Sequence, residues 1–192
     1  MRTIYNKKGF TILELTVAMA IFVTASVALG SIFVYTNRNQ RSAGANVRRD
    51  SDARFAFEAM AREARRGNID YAGYATEYAG PIPLGAISDL RLFTPQGKLI
   101  IFKKNVVGSV GVIQVSSDGV AWTDLTSREK TDVISLKFYV YPSTDPNGDP
   151  VSSPPNVQPR VVIAASFRSQ ESGSSAASVT FSTTISSRIY GR

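Results

Sequence analysis

Lys7-Lys8-Gly9-Phe10-Thr11-Ile12-Leu13-Glu14-Leu15-Thr16 decides the reading of this 192-residue chain. Two cations are followed by a glycine, and an apolar run then extends from Phe10 to Tyr35 with Glu14 as its only charge. As a helix rising 1.5 Å per residue, that run is about 39 Å long, enough to cross a hydrocarbon core of about 30 Å. A carboxylate in such a helix costs about 2.5–3.5 kcal/mol at mid-membrane on insertion scales, which marks Glu14 as a functional residue by default.

Upstream, residues 1–9 hold Arg2, Lys7 and Lys8 and no acid. By the positive-inside rule this end stays cytoplasmic and the remainder crosses the membrane. Downstream, no proline occurs before Pro81, so nothing forces a helix break, and Gly30 and Gly44 are the points of easiest bending. Ala53, Ala56, Phe57, Met60, Ala61 and Ala64 recur at helical spacing as one apolar stripe, with Arg54, Glu58 and Arg62 laddered off it. Gly67-Asn68 is a C-terminal stop, and Arg65-Arg66 suit the negative end of the helix dipole. The expectation is one helix from Phe10 to Arg66, greasy all round in its first half and amphipathic in its last turns.

Residues 68–89 are rich in Gly, Pro and Tyr and show no period, which predicts a connection. Strand signals follow. Leu90–Phe93 and Leu99–Phe102 flank Pro95-Gln96-Gly97 as one hairpin, and Val112–Val115 and Val120–Leu125 flank Asp118-Gly119 as a second. A period of two places Ile134, Leu136, Phe138 and Val140 on one side. Val161, Ile163, Ala165 and Phe167 repeat it, as do Val179, Phe181, Thr183 and Ile185. Loops at 142–159 and 169–177 separate these runs. The fold class is therefore α+β: a long N-terminal α-helix whose second half packs on an antiparallel β-sheet head.

Composition removes several classes of chemistry. With no Cys there is no disulfide, thiolate metal site or Cys nucleophile, and with no His the commonest general base and metal ligand are gone. No motif for Asp/Glu or Ser/Lys catalysis appears, so no catalytic residue, cofactor or metal site is assigned. The net charge of +7 is unevenly placed. Residues 1–9 carry +3, Glu14 −1, residues 36–66 +4 (eight Arg against Asp50, Asp52, Glu58 and Glu63), and residues 67–192 only +1. A basic DNA-binding face on the body is not supported. Arg38, Arg41, Arg48 and Arg49 read as a solvated stalk face. Asp145-Pro146-Asn147-Gly148-Asp149 lacks the ligand alternation and terminal Glu of an EF-hand and consists of ordinary turn residues. Trp122 and the Tyr71, Tyr74, Tyr78 cluster offer either a contact surface for partners or core packing.

Leader, Gly9, Phe10 and Glu14 together resemble the class III signal of type IV prepilins and type II secretion pseudopilins. The resemblance implies a leader at residues 1–9, cleavage by prepilin peptidase between Gly9 and Phe10, N-methylation of Phe10, and an assembly role for Glu14. In that role Glu14 forms a salt bridge to the Phe10 ammonium of a neighbouring subunit, the alternative being a carboxylate that snorkels toward headgroups. Thr24, Ala25, Ser26, Ala28 and Gly30 are small enough for close helix approach. The C-terminal half, with Ser135-Leu136-Lys137-Phe138-Tyr139-Val140-Tyr141 before an acidic loop and Pro159-Arg160-Val161-Val162-Ile163 after it, is similar to the minor pseudopilin J and minor pilin W group.

The organisation expected is leader 1–9, membrane-spanning and filament-core helix 10–35, amphipathic helix 36–67 and β-rich head 68–192. The implied partners are other pilin subunits, prepilin peptidase and, before assembly, membrane lipid. The implied location is a prokaryotic cytoplasmic membrane and then a pilus or pseudopilus. Two other readings exist. A competence-type pilin that binds DNA or a surface would need a cationic, aromatic patch on the head. An ordinary secreted or anchored protein would be cut near Ala28-Leu29-Gly30, which a charged Glu14 in the h-region and so long an apolar run fit poorly.

Overall fold

A computed structural model describes residues 9–146, 148, 157–170 and 178–187. The chain divides into two units, Met1–Ser42 and Ala43–Arg192, and α1 (Ile12–Arg66) contributes to both. The architecture is α+β, a long N-terminal helix followed by antiparallel sheet.

The helix ends at Arg66, at the predicted stop, for a packing reason. A Cβ on Gly67 would stand 2.8 Å from the Phe93 carbonyl oxygen and 3.4 Å from the Leu92 Cβ, so only glycine lets the chain turn so close to the sheet. Upstream of it, Ala53, Ala56, Met60, Ala61 and Ala64 are buried as the stripe required. The stripe reaches further back than the sequence indicated, through Arg49 to Ala45. Arg49 is thus corrected from a solvated to a buried residue, 4 % exposed, with its guanidinium donating to Asp50 at 2.8 Å.

After β1 (Asn68–Ile69), the expected connection contains a short helix, α2 (Tyr71–Tyr78). Asp70 caps it, accepting the Gly73 N–H at 2.8 Å, and Ala79 ends it in the left-handed region. The strands that follow are β2 (Asp89–Phe93), β3 (Leu99–Val107), β4 (Val110–Ser116) and β5 (Trp122–Asp124). Both predicted hairpins form, as the β2–β3 and β4–β5 pairs. A third hairpin, turning at Gly108-Ser109 between β3 and β4, was not anticipated, and it makes these two strands longer than the predicted runs. Among the described residues, β1 to β5 form one antiparallel sheet in chain order.

The second sheet holds β6 (Thr131–Tyr141), β7 (Arg160–Ser169) and β8 (Val179–Ser186), also antiparallel and in chain order. The β7 alternation is as predicted, with Val161, Ile163, Ala165 and Phe167 buried. On β6 the pattern is corrected. The register shifts between Val133 and Ser135, so Val133 turns inward and Ile134 outward, 42 % exposed. A bulge has this effect because one extra residue reverses the faces on either side of it.

One apolar cluster joins the α1 stripe to both sheets, through Met60, Tyr74, Leu90, Leu92, Phe102, Phe138, Ile163 and Phe167 among others. Phe57 of α1 lies 6.2 Å from Phe167 and 6.1 Å from Phe181, the spacing at which tilted aromatic pairs attract. Just before β2, Ile87 exchanges backbone hydrogen bonds of 2.9 and 3.1 Å with Phe138 of β6.

Candidate functional site

The candidate site is the start of α1 and its apolar first half. Gly9 and Phe10 precede the helix, and Phe10 is 88 % exposed. Fifteen large apolar side chains between Phe10 and Tyr35 are between 48 and 88 % exposed. Burial of such side chains is worth about 1.5–3 kcal/mol each, so this surface demands lipid or protein around it. Ile12–Arg66 is also long and apolar enough in part to cross a membrane.

Three hydroxyls in this segment are satisfied by carbonyls of the helix itself. Thr16 donates to the Leu13 carbonyl at 2.9 Å, Thr24 to those of Ile21 and Ala20 at 2.9 and 3.1 Å, and Ser31 to that of Ala28 at 2.7 Å. Back-bonding of this kind lets hydroxyls enter an apolar medium without an orphaned donor.

Glu14 sits on the first turn. Its Oε2 accepts the Thr11 backbone N–H at 3.3 Å and the Thr11 hydroxyl at 3.4 Å, while Thr11 Oγ1 accepts the Glu14 N–H at 3.2 Å. This is a reciprocal capping box, with Thr11 as cap and Glu14 at the third helical position. The sequence reading did not single out Thr11, although the Thr-x-x-Glu spacing at 11–14 carries the signal. Gly9, Phe10 and Glu14 therefore lie within one short segment around the helix start. Lys7 and Lys8 fall outside the described residues.

The family model described as the prokaryotic N-terminal methylation motif matches residues 4–30. The chain carries a prepilin-type N-terminus. This match supports the type IV pilin and pseudopilin family, processing by prepilin peptidase and assembly with other pilin subunits. That family is structural, not enzymatic, and the apolar helix fits a membrane-anchored pilin. No curated protein and no solved structure matches the chain.

The head holds the other residues singled out. Tyr74 belongs to the core: its hydroxyl donates to the Asp89 carbonyl at 2.9 Å and accepts the Arg91 N–H at 2.9 Å. Burial pushes its phenol pKa above the usual tyrosine range, partly opposed by the Arg91 hydrogen bond. Trp122 is half-buried, with the Lys103 ammonium 3.6 Å above its ring. Arg38, Arg41 and Arg48 are exposed. Within the 145–149 turn, Asn147 and Asp149 lie outside the described residues.

Proposed function

We propose that this protein is a structural subunit, of the minor class, of a type IV pilus or type II secretion pseudopilus, similar to the J and W group. Residues 1–9 act as a leader, 10–35 as membrane anchor and then filament core, 36–67 as the amphipathic stalk and 68–192 as the head. Prepilin peptidase cuts between Gly9 and Phe10, and Phe10 becomes the N-methylated terminus. The N-terminus faces the cytoplasm before assembly, and the assembled subunit lies outside the membrane. Glu14 pairs with the Phe10 ammonium of a neighbour and rewards correct axial register.

The observation that carries this reading is the coincidence of the motif at residues 4–30 with a helix whose large apolar side chains are exposed. Lipid would cover those side chains first and sibling helices afterwards, and the small residues from Thr24 to Gly30 permit close helix contact. The charge distribution supports a stalk and head without a nucleic-acid face.

Mass spectrometry of the mature N-terminus in cells that also express the peptidase tests the proposal. The expected terminus is methyl-Phe10. Recovery of intact Met1, or of a terminus at Ser31, would overturn it.

A further inference from the structure

We infer that Thr11 is a positioning residue for leader removal: its box with Glu14 starts the helix at Ile12 and so keeps the Gly9–Phe10 peptide bond out of it. This inference rests on the proposed reading of Gly9–Phe10 as the processed bond.

Three observations define the start. Among the described residues, the first helical hydrogen bond runs from the Leu15 N–H to the Thr11 carbonyl, 3.2 Å. Thr11 Oγ1 takes the Glu14 N–H, and Glu14 Oε2 returns to the Thr11 N–H, so two donors that a helix terminus would orphan are satisfied side by side. Gly9 and Phe10 then fall outside regular structure. In the low-dielectric surroundings of a membrane segment, unsatisfied N–H groups are penalised more than in water, which sharpens the preference for this start.

The consequence is chemical. A peptidase must reach the carbonyl carbon of Gly9 and the nitrogen of Phe10. Inside a helix these groups are packed against neighbouring turns, and their N–H and C=O belong to the ladder. Without a cap at Thr11, the next side chain upstream with strong capping chemistry is Asn6. A helix capped there would run through Gly9 and Phe10 and enclose the bond. Gly9, the poorest helix former after proline, works in the same direction as the Thr11 cap.

The test compares wild type, Thr11→Val and Thr11→Ser as full-length chains. Pulse-chase in membranes containing prepilin peptidase measures leader loss, and N-terminal sequencing locates the cut. Cα chemical shifts of Gly9 and Phe10 in detergent micelles report the helix start. Thr11→Val is expected to slow cleavage about fivefold, the population factor of a typical lost side-chain cap. It should also move the Gly9 and Phe10 shifts toward helical values. Thr11→Ser keeps the oxygen and should match wild type in both readouts. Cleavage of Thr11→Val at the wild-type rate overturns the inference while leaving the processing reading intact. So does slow cleavage with unchanged shifts, since the side chain would then be read directly by the peptidase. A wild-type chain that is never cut between Gly9 and Phe10 overturns the processing reading itself, and this inference with it.

Discussion

Asp52 and Thr131, 79 positions apart, are joined by a hydrogen bond of 2.9 Å in which the hydroxyl donates to the carboxylate. The same Asp52 oxygen accepts the Ser127 backbone N–H at 3.1 Å. Thr131 is fully buried and opens β6, so the helix is tied to the chain where the first sheet has ended and the second begins. Apolar packing holds the α1 stripe on the sheets without fixing its position along them. A polar anchor near the start of the packed stripe supplies that position.

Asp52→Ala should therefore destabilise the folded chain by about 1–3 kcal/mol, because it leaves the Ser127 N–H and the Thr131 hydroxyl without their acceptor. Urea unfolding of the full chain in detergent, followed by tryptophan fluorescence, is the measurement. The midpoint should fall with an unchanged slope. An unaltered midpoint would mean that apolar burial alone seats the helix.

Tyr74 makes stability fall in alkali. Burial holds its phenol protonated beyond the usual range, and Tyr71 is shifted the same way by burial and then by Asp145. In the unfolded chain a tyrosine releases its proton near pH 10, whereas the folded chain keeps it. The stabilising contribution is complete below about pH 10 and declines above it, by about 1.4 kcal/mol per pH unit for the fully buried Tyr74 and by less for the half-buried Tyr71. Unfolding midpoints at pH 8, 10 and 11 should show this decline. Tyr74→Phe should be less stable at pH 8 by about 1–3 kcal/mol, since the Asp89 carbonyl and Arg91 N–H lose a partner. Its decline above pH 10 should be shallower than that of wild type. An equal decline would place the alkaline sensitivity elsewhere.

At Gly111 the backbone of β4 runs close against that of β6. A Cβ there would stand 2.1 Å from the Val133 carbonyl oxygen, which belongs to the backbone and cannot yield as a side chain can. The Gly111 N–H also donates to Asp132 Oδ1 at 2.9 Å, and Asp132 Oδ2 accepts from Arg168 Nη2 at 2.6 Å. Gly111→Ala should cost about 3 kcal/mol or more, through overpacking plus a strained buried hydrogen bond. Limited proteolysis and unfolding midpoints measure it. Ile134→Lys, next to the bulge and facing outward, should change stability by less than about 0.5 kcal/mol. Val133→Lys should prevent folding of the head. Equal tolerance of lysine at 133 and 134 would contradict the observed register.

These residues also show what could be read in advance. The helix stop at Gly67, the hairpins at 95–97 and 118–119 and the β7 alternation were legible because each depends on residues close in sequence. The inward turn of Val133 was not, because a bulge is set by the partner strand and leaves no local mark beyond an extra residue. Helix α2 was hidden in a Gly- and Tyr-rich stretch, since its hold comes from the Tyr74 hydroxyl meeting β2 fifteen and seventeen positions onward. The burial of Arg49 was equally invisible, being a product of tertiary contact. Thr11 differs from these. Its Thr-x-x-Glu spacing is a local signal, set by two residues three positions apart at the start of the apolar run.

The two roles of Glu14, cap and charge, can be separated. Glutamine at the third helical position completes a capping box as glutamate does, while its neutral amide cannot form an ion pair with an ammonium. On the proposed reading, Glu14→Gln should lose its leader at the wild-type rate and keep the helix start at Ile12. It should nevertheless assemble at least tenfold less, because a hydrogen bond to a charged group is worth about 1.5–3 kcal/mol and the loss recurs at each such contact. Glu14→Ala removes both functions and should add slower leader removal to the same assembly defect. Immunoblots of processed subunit, set beside sheared-filament or pseudopilus fractions, read the two steps separately. Wild-type assembly of Glu14→Gln would retire the intersubunit charge and leave Glu14 as a residue that only caps its own helix.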